Sequence, residues 1–509
     1  MPKAFFSHSH ADGELVRAVA GRVGRPFVSI DVTDFHTAED LLAAMERAIR
    51  ESAIFVYFAS RSSLNSLWVH YEINEARFHQ ALGRIKKTLV VLLDDRLTAS
   101  DLPGWMQRSQ LLTAKAVPPI ARRVRALVDE LIQDEKQSFF VGRATETAAL
   151  QSAFVPPDST QPVSLVAVRG LPGIGRRTLI SRVARDTLRF QGILTLRVEA
   201  GDDVNSLAIK LADLVEPVST ADDSLATAHE IEKLPTYLAL ERLSKDLEQV
   251  AALNELVVLY DEGGLLDNNG IPRVQFQPLL QAINQRDNLI AVLVTNRRPH
   301  LRGLGDLEDT SIVDIAPLHP AEVRQLLALT ARARQVRLAQ SDMAALTTQI
   351  RGYPPAVTAS IQLVETYGAS IAIGSSQAHY QPRPLTRYLK SLTLKSFERR
   401  ILRVLASNSP LPVELLAEFG NDKHQTQEAL INLIDTSLVL PEEGTSWYRI
   451  SEPIVDYIER EFPACTTADY GHVANGLKRF LNEDQGSGQY LDLARVYYRG
   501  RPQMVEPTP

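Results

Sequence analysis

The sequence predicts an α/β multidomain chain whose larger modules are parallel, doubly wound sheets flanked by helices. Two features carry that prediction. Residues 1–132 alternate short apolar runs with amphipathic stretches, the pattern of a parallel sheet with crossover helices. Further on, "VSLVAVRGLPGIGRRTLISRVA" places a buried strand, a glycine-rich turn and a helix in direct succession. The length of 509 residues adds that one core cannot serve the whole chain, so three or four domains are expected.

Apolar residues make up 45% of the chain and charged residues 23%, values of a soluble globular protein. The net charge of -6 argues against binding driven by bulk electrostatics, and no nucleic-acid partner is expected. The single cysteine, Cys465, excludes an internal disulfide and any Cys-rich zinc module. The apolar runs "LVVLY" and "LIAVLV" are too short to span a bilayer, and Met1 leads into strand-like "KAFFS" without a signal-peptide core. The expected location is cytoplasmic, with no membrane partner.

In the first domain, "KAFFSHS" reads as a strand, "ADGELVRAVAGRV" as a helix and "PFVSID" as a second strand. "TAEDLLAAMERAIRES" has apolar residues at helical spacing, and "AIFVYFAS" is a continuous apolar run, as a strand buried on both faces is. "WVHYEINEARF" is helical, "TLVVLLDD" a strand, and "AVPPIARRVRALVDELIQD" a closing helix. This alternation implies a flavodoxin-like order, with ligands at the carboxyl ends of the strands.

Within "FFSHSHADG", His8, His10 and Asp12 spell H-x-H-x-D, a spacing that metallohydrolases of the metallo-β-lactamase type use for zinc. The motif lies on the first strand-to-helix turn, however, and Gly13 stands where a third histidine belongs, so no metal is expected in this domain. The same stretch resembles box 1 of TIR domains, F-[IL]-S-[YH]-x-x-x-D. The resemblance continues through "RESAIFVYFASRSSLNSLWVHYE", where a central strand and a serine-rich loop lead to W-x-x-x-E, here Trp68 and Glu72. It covers residues 1–132 and keeps the motif order. It implies an enzyme that cleaves the nicotinamide–ribose bond of NAD+ through an oxocarbenium-like state. By that resemblance Glu72 is the catalytic acid, and Phe6, Ser7, His8 and Trp68 line the NAD+ pocket. A carboxylate beside the ribose stabilises such a cation and orients the attacking water or hydroxyl, as in glycoside cleavage. Trp68 and Glu72, four apart on a helix, project from one face. Many TIR domains are adaptors that only self-associate, so a non-enzymatic scaffold is the alternative.

After a linker at residues 133–138, "QSFFVGRATETAALQSAF" resembles the strip that opens many signal-transducing ATPases of the NB-ARC type. In the P-loop that follows, Gly170, Gly173 and Gly175 suit a turn whose backbone N–H groups and helix N-terminus cradle phosphates. Against the pattern G-x-x-x-x-G-K-[ST], Arg176 holds the lysine position and Arg177 that of the magnesium-binding hydroxyl, with Thr178 one place late. Arginine keeps the charge but not the compact ammonium group. A one-residue shift that gives Arg177 and Thr178 the two roles is the alternative. The expectation is bound ADP or ATP with slow or absent hydrolysis, magnesium coordination being left open. "ELVVLYDEGG" resembles Walker B, which implies Asp261 for magnesium and Glu262 to polarise water. "NLIAVLVTNRRP" resembles the sensor strand, which makes Arg297 a γ-phosphate contact, and "IRGYPPAVTAS" resembles the G-x-P motif, whose Pro354 packs against adenine. The NB-ARC-like module spans residues 139–312 and a helical subdomain residues 313–380.

Residues 381–462 read as a winged helix, yet the would-be recognition helix "KHQTQEALINLIDTSLVL" is nearly devoid of basic residues, which disfavours DNA readout. The clamp histidine of the NB-ARC M-H-D motif falls at Ser451 or Glu452 and is lost. Residues 463–509 form a short helical segment and tail, less than a repeat array requires. The domain order resembles NLR-like immune receptors and bacterial TIR-STAND proteins. It implies a sensor that homo-oligomerises through its TIR and NB-ARC-like domains on an unknown trigger, a phage protein being one candidate, and then depletes NAD+. Besides the scaffold, a STAND-type transcription regulator is the other alternative.

Overall fold

The computed structural model describes residues 2–29, 38–107, 109–137, 139–155, 163–190, 192–215, 221–284, 289–301, 310–379, 383–419, 423–442 and 444–483. The chain divides into two compact units, one of residues 1–138, 181–265 and 274–292, the other of residues 139–180, 266–273 and 293–509.

The first sheet holds β1 (Ala4–Ser7), β2 (Val28–Ser29), β3 (Ile54–Ala59), β4 (Lys87–Leu92) and β5 (Gln110–Thr113), in the order β2-β1-β3-β4-β5. All its neighbours pair in parallel. This is the flavodoxin-like order, and its direction of winding reverses between β1 and β3. The continuous apolar run of β3 is buried along its whole length because helices cover both faces. On one face Ala4, Phe6, Val56 and Phe58 meet the helices Gly13–Val23 and Val117–Gln137. On the other Phe5, Phe55 and Tyr57 meet Val69 and Ile73 of the helix Leu67–Ala81 and Met45 and Ile49 of the helix Ala38–Glu51. The second strand starts at Val28, later than "PFVSID", because a 3-10 turn at Arg25–Phe27 takes the start of that stretch; residues 30–37 lie outside the described residues.

The second sheet holds β6 (Leu165–Arg169), β7 (Gly192–Glu199), β8 (Glu255–Glu262), β9 (Ala291–Thr295) and β10 (Ile312–Asp314), in the order β10-β6-β9-β8-β7. Counted from β6 this is 5-1-4-3-2, with the glycine-rich turn leaving the carboxyl end of the first strand and entering the helix Arg176–Asp186. That placement is the P-loop NTPase-like arrangement.

Beyond β10 come the helices Pro320–Ala333, Gln340–Ile350, Pro354–Tyr367 and Ala369–His379, which share a core of Val323, Leu327, Leu346, Ile350, Val357 and Ile361. The last part runs helix Ser396–Ser407, β11 (Leu411–Pro412), helices Val413–Ala417 and Lys423–Asp435, β12 (Val439–Pro441) and β13 (Trp447–Ile450). Its strands form a small antiparallel sheet in the order β11-β13-β12. The helices Val455–Glu461 and Thr467–Glu483 follow, and the tail from 484 lies outside the described residues. Among the described residues no helix is long and apolar enough to cross a membrane.

Phe58 is fully buried and meets Phe6 edge-on at 5.3 Å between ring centres. Phe58→Ala leaves a cavity there and is expected to cost about 3–5 kcal/mol, seen as a lower thermal unfolding midpoint by circular dichroism. Leu67→Ala, at a side chain 86% exposed, is expected to leave that midpoint in place.

Candidate functional site

The first site grows from the alternation of side chains along β1. Phe5 and Ser7 face the helix Leu67–Ala81, while Ala4 and Phe6 face the opposite core. Ser66 opens that helix as its N-cap, accepting from the Val69 N–H. Glu72 then falls on the second turn, fully buried, directly over the end of β1. Ser7 Oγ donates a hydrogen bond of 2.5 Å to Glu72 Oε2, and both side chains are fully buried. A carboxylate removed from water needs such a donor, because an unsatisfied one would cost several kcal/mol. Trp68, one turn earlier, is half-buried against the core of Phe5, Tyr57 and Val69.

Phe6, also expected to line the pocket, does not face Glu72. Its ring is buried in the other core against Phe58, so alternation along the strand turns it away from Glu72. His8 is half-buried, with Nδ1 3.4 Å from the Phe6 carbonyl oxygen and Nε2 beside Gly13 at the start of the next helix. His10 is exposed on the 3-10 turn His10–Asp12.

Asp12 has a role the sequence reading missed. Its Oδ2 accepts from Ser9 Oγ at 2.5 Å and from Ser60 Oγ at 2.6 Å. Ser60 caps the short helix Arg61–Leu64 and exchanges hydrogen bonds with Ser63. Ser63 Oγ in turn lies 3.0 Å from the Tyr57 hydroxyl. Burial pushes the Tyr57 phenol above its ordinary range, opposed by its bond to Ser63, so it stays protonated at neutral pH. The loop after β1 and the serine loop after β3 are thus tied to each other at the carboxyl ends of the two strands where the winding reverses. Ligands of such sheets bind in that crevice. In the sequence Asp12 stands out only as the acid of H-x-H-x-D and as the last residue of box 1, neither of which shows this role. Among the described residues no three His, Cys, Asp or Glu side chains group as metal ligands would.

The second site is the turn after β6. Gly173 and Gly175 have φ of 82° and 109°, conformations that favour glycine. A Cβ at Gly173 would stand 2.2 Å from the Tyr353 hydroxyl, which donates to the Pro172 carbonyl at 2.7 Å. Arg143 binds the turn from another side, donating to the Ile174 carbonyl at 3.1 Å and to that of Ala316. Arg176, in the lysine position, is buried, and its guanidinium donates to the Thr295 carbonyl at the end of β9 at 2.6 Å. Arg177 is exposed and Thr178 half-buried at the start of the helix. Pro354, half-buried, opens the helix that follows Tyr353. Arg297 donates to the Asn268 carbonyl, and Arg169, Arg176 and Arg297 all act on the buried Tyr388 hydroxyl. Burial raises that phenol far above its usual range despite the three cations.

On β8, Asp261 Oδ1 accepts from the Gly263 and Leu265 N–H groups at 3.0 and 2.9 Å, which turns the chain sharply after the strand. Glu262 pairs with Arg197 at 2.5 Å.

The turn therefore has the backbone form that suits a phosphate, whereas Arg176 is committed to a carbonyl and does not fit the role of a lysine that follows charge onto a γ-phosphate.

Residues 5–119 match the family model of the TIR domain. No curated protein matches the chain. Among solved structures, a Walker-type ATPase of Pyrococcus abyssi is 14% identical, with 63% of this chain and 96% of that one covered at a TM-score of 0.46. The Holliday-junction branch-migration motor RuvB of Thermotoga maritima is 13% identical, with 64% and 97% covered at 0.29. The Orc1 protein of Aeropyrum pernix, solved with DNA, is 14% identical, with 64% and 94% covered at 0.32. At such scores the fold assignment rests on strand order and the glycine turn rather than on these likenesses. The chain is a TIR domain, at residues 5–119, followed by a P-loop NTPase-like module.

Proposed function

We propose that the TIR domain is an NAD+ glycohydrolase held in a resting state. The observation that carries this reading is the buried Ser7–Glu72 pair at the carboxyl ends of β1 and β3, with Trp68 one turn away. Cleavage of the nicotinamide–ribose bond puts positive charge on the ribose. The Glu72 carboxylate stabilises that charge and orients the incoming water, Ser7 fixes the carboxylate through its hydroxyl, and the Trp68 indole walls the pocket. Glu72 has no exposed surface here, so substrate reaches it only after the loops tied by Asp12 separate. Clustering of TIR domains in a homo-oligomer, set off by an unknown trigger such as a phage protein, supplies that change. NAD+ depletion in an infected bacterial cell is the role we assign to it.

Glu72→Gln keeps the size and the hydrogen bond from Ser7 but removes the charge. It is expected to lower nicotinamide release from NAD+ by the clustered full-length protein by at least about 100-fold, with circular dichroism unchanged. Release at the wild-type rate would refute the assignment.

For the NTPase-like module we propose nucleotide binding with little turnover. The glycine turn supplies backbone donors, Arg177 and Thr178 stand beside it at the helix start, and Pro354, which opens the helix after Tyr353, would pack against an adenine. Arg176 braces the turn from within, and the hydroxyl that would hold magnesium is out of register. The last part of the chain, whose helix and strand order suits a winged helix, serves as a clamp on the nucleotide state. A fluorescent ADP analogue is expected to bind the full chain, and magnesium-dependent ATP hydrolysis is expected to stay at background in wild type and Asp261→Ala alike. Rapid hydrolysis lost in Asp261→Ala, or no nucleotide binding at all, would each contradict the proposal.

A further inference from the structure

The TIR domain's last helix, Val117–Gln137, packs against β7 and the helix Val204–Val215 within the first compact unit. In its second turn Arg122 meets Glu255, the first residue of β8. Their side chains are 10% and 6% exposed. Arg122 Nε straddles the carboxylate, 3.1 Å from Oε1 and 3.0 Å from Oε2. An arginine that offered its forked edge would make two parallel hydrogen bonds. This one does not, and among the described residues its Nη1 is buried with no hydrogen-bond partner. Burial raises the Glu255 carboxyl above its ordinary range, opposed by Arg122 and then by Arg123.

The backbone around the pair is close-packed. A Cβ at Gly192, the first residue of β7, would lie 3.3 Å from Glu255 Cγ and 3.5 Å from the Ala126 Cβ of the TIR helix. At the margin, Arg22 of the TIR domain pairs with Asp213 at 3.2 Å, but Asp213 is 60% exposed and such pairs contribute little. The apolar helices and sheet would hold an ordinary domain junction by themselves. A half-satisfied buried ion pair is a different device: it adds little net stability while both partners remain, and becomes strongly unfavourable once either is removed.

We infer that the Arg122–Glu255 pair is a releasable latch, which docks the TIR domain on the NTPase-like module in one register and lets it go as a body when the pair is broken. A strand shift at the start of β8 is enough to separate the pair, so a change in the NTPase-like module is felt at the TIR helix. This inference does not depend on the NAD+ reading, because its test reads docking and not activity.

The test is limited thermolysin digestion of the full-length chain, following release of an intact TIR fragment by mass spectrometry, with the radius of gyration by small-angle X-ray scattering. Arg122→Glu and Glu255→Arg are each expected to speed release at least about tenfold and to enlarge the radius. The double reversal, Arg122→Glu with Glu255→Arg, is expected to restore both readouts toward wild type. Gly192→Val, which wedges the interface while leaving the pair chemically intact, is expected to speed release as well. Single reversals that digest at the wild-type rate overturn the latch. So does a double reversal that is as labile as the singles, including the case in which the singles fail to fold.

Discussion

The buried hydrogen bond between Ser7 and Glu72 is the contact on which the chemistry proposed for the first domain depends. It joins the end of the first strand to the helix that follows the third, at the point where the sheet reverses its winding. There the Ser7 hydroxyl donates to Oε2 of a glutamate with no exposed surface. The same geometry brings the loop after β1 and the serine loop after β3 together, and Asp12 ties them through Ser9 and Ser60. Fold order, buried acid and tied loops are therefore three aspects of one placement.

What the sequence made legible follows from where each residue finds its partner. Continuous apolar runs such as "AIFVYFAS" declared the central strands, because burial on both faces leaves no polar position. The edge strand β5 went unread because its four residues alternate half-buried with exposed, and β7 because its later residues alternate buried with exposed. Ser7, Trp68 and Glu72 are singled out by the resemblance to the TIR motifs, and the fold brings Ser7 and Glu72 into contact. The Phe6 ring, which the resemblance implies for the pocket, lies in the opposite core, as strand alternation from Ser7 requires. The task of Asp12 was invisible, since Ser60 lies 48 residues away, and that of Arg176 more so, since its acceptor is a backbone carbonyl 119 residues on.

The two modules use positive charge in opposite ways. In the P-loop region Arg176 is turned inward onto the Thr295 carbonyl, so the turn keeps a shape that suits a phosphate while the residue in the lysine position is committed elsewhere. At the TIR helix Arg122 is buried but incompletely paired, which makes it sensitive to small shifts of β8. On the proposed reading, a module that bound nucleotide without consuming it, coupled to a domain held by such a contact, would act as a switch set by occupancy rather than by a hydrolytic cycle.

The measurement that bears most directly on the Ser7–Glu72 contact is steady-state NAD+ cleavage by Ser7→Ala in the clustered full-length protein. The substitution leaves Glu72 in place but removes the donor that fixes its carboxylate. The account predicts a fall in kcat of about 10- to 100-fold with KM within about threefold, since the lost contact orients the acid more than it binds substrate. A wild-type kcat in Ser7→Ala would contradict it, because the buried contact would then have no part in the chemistry.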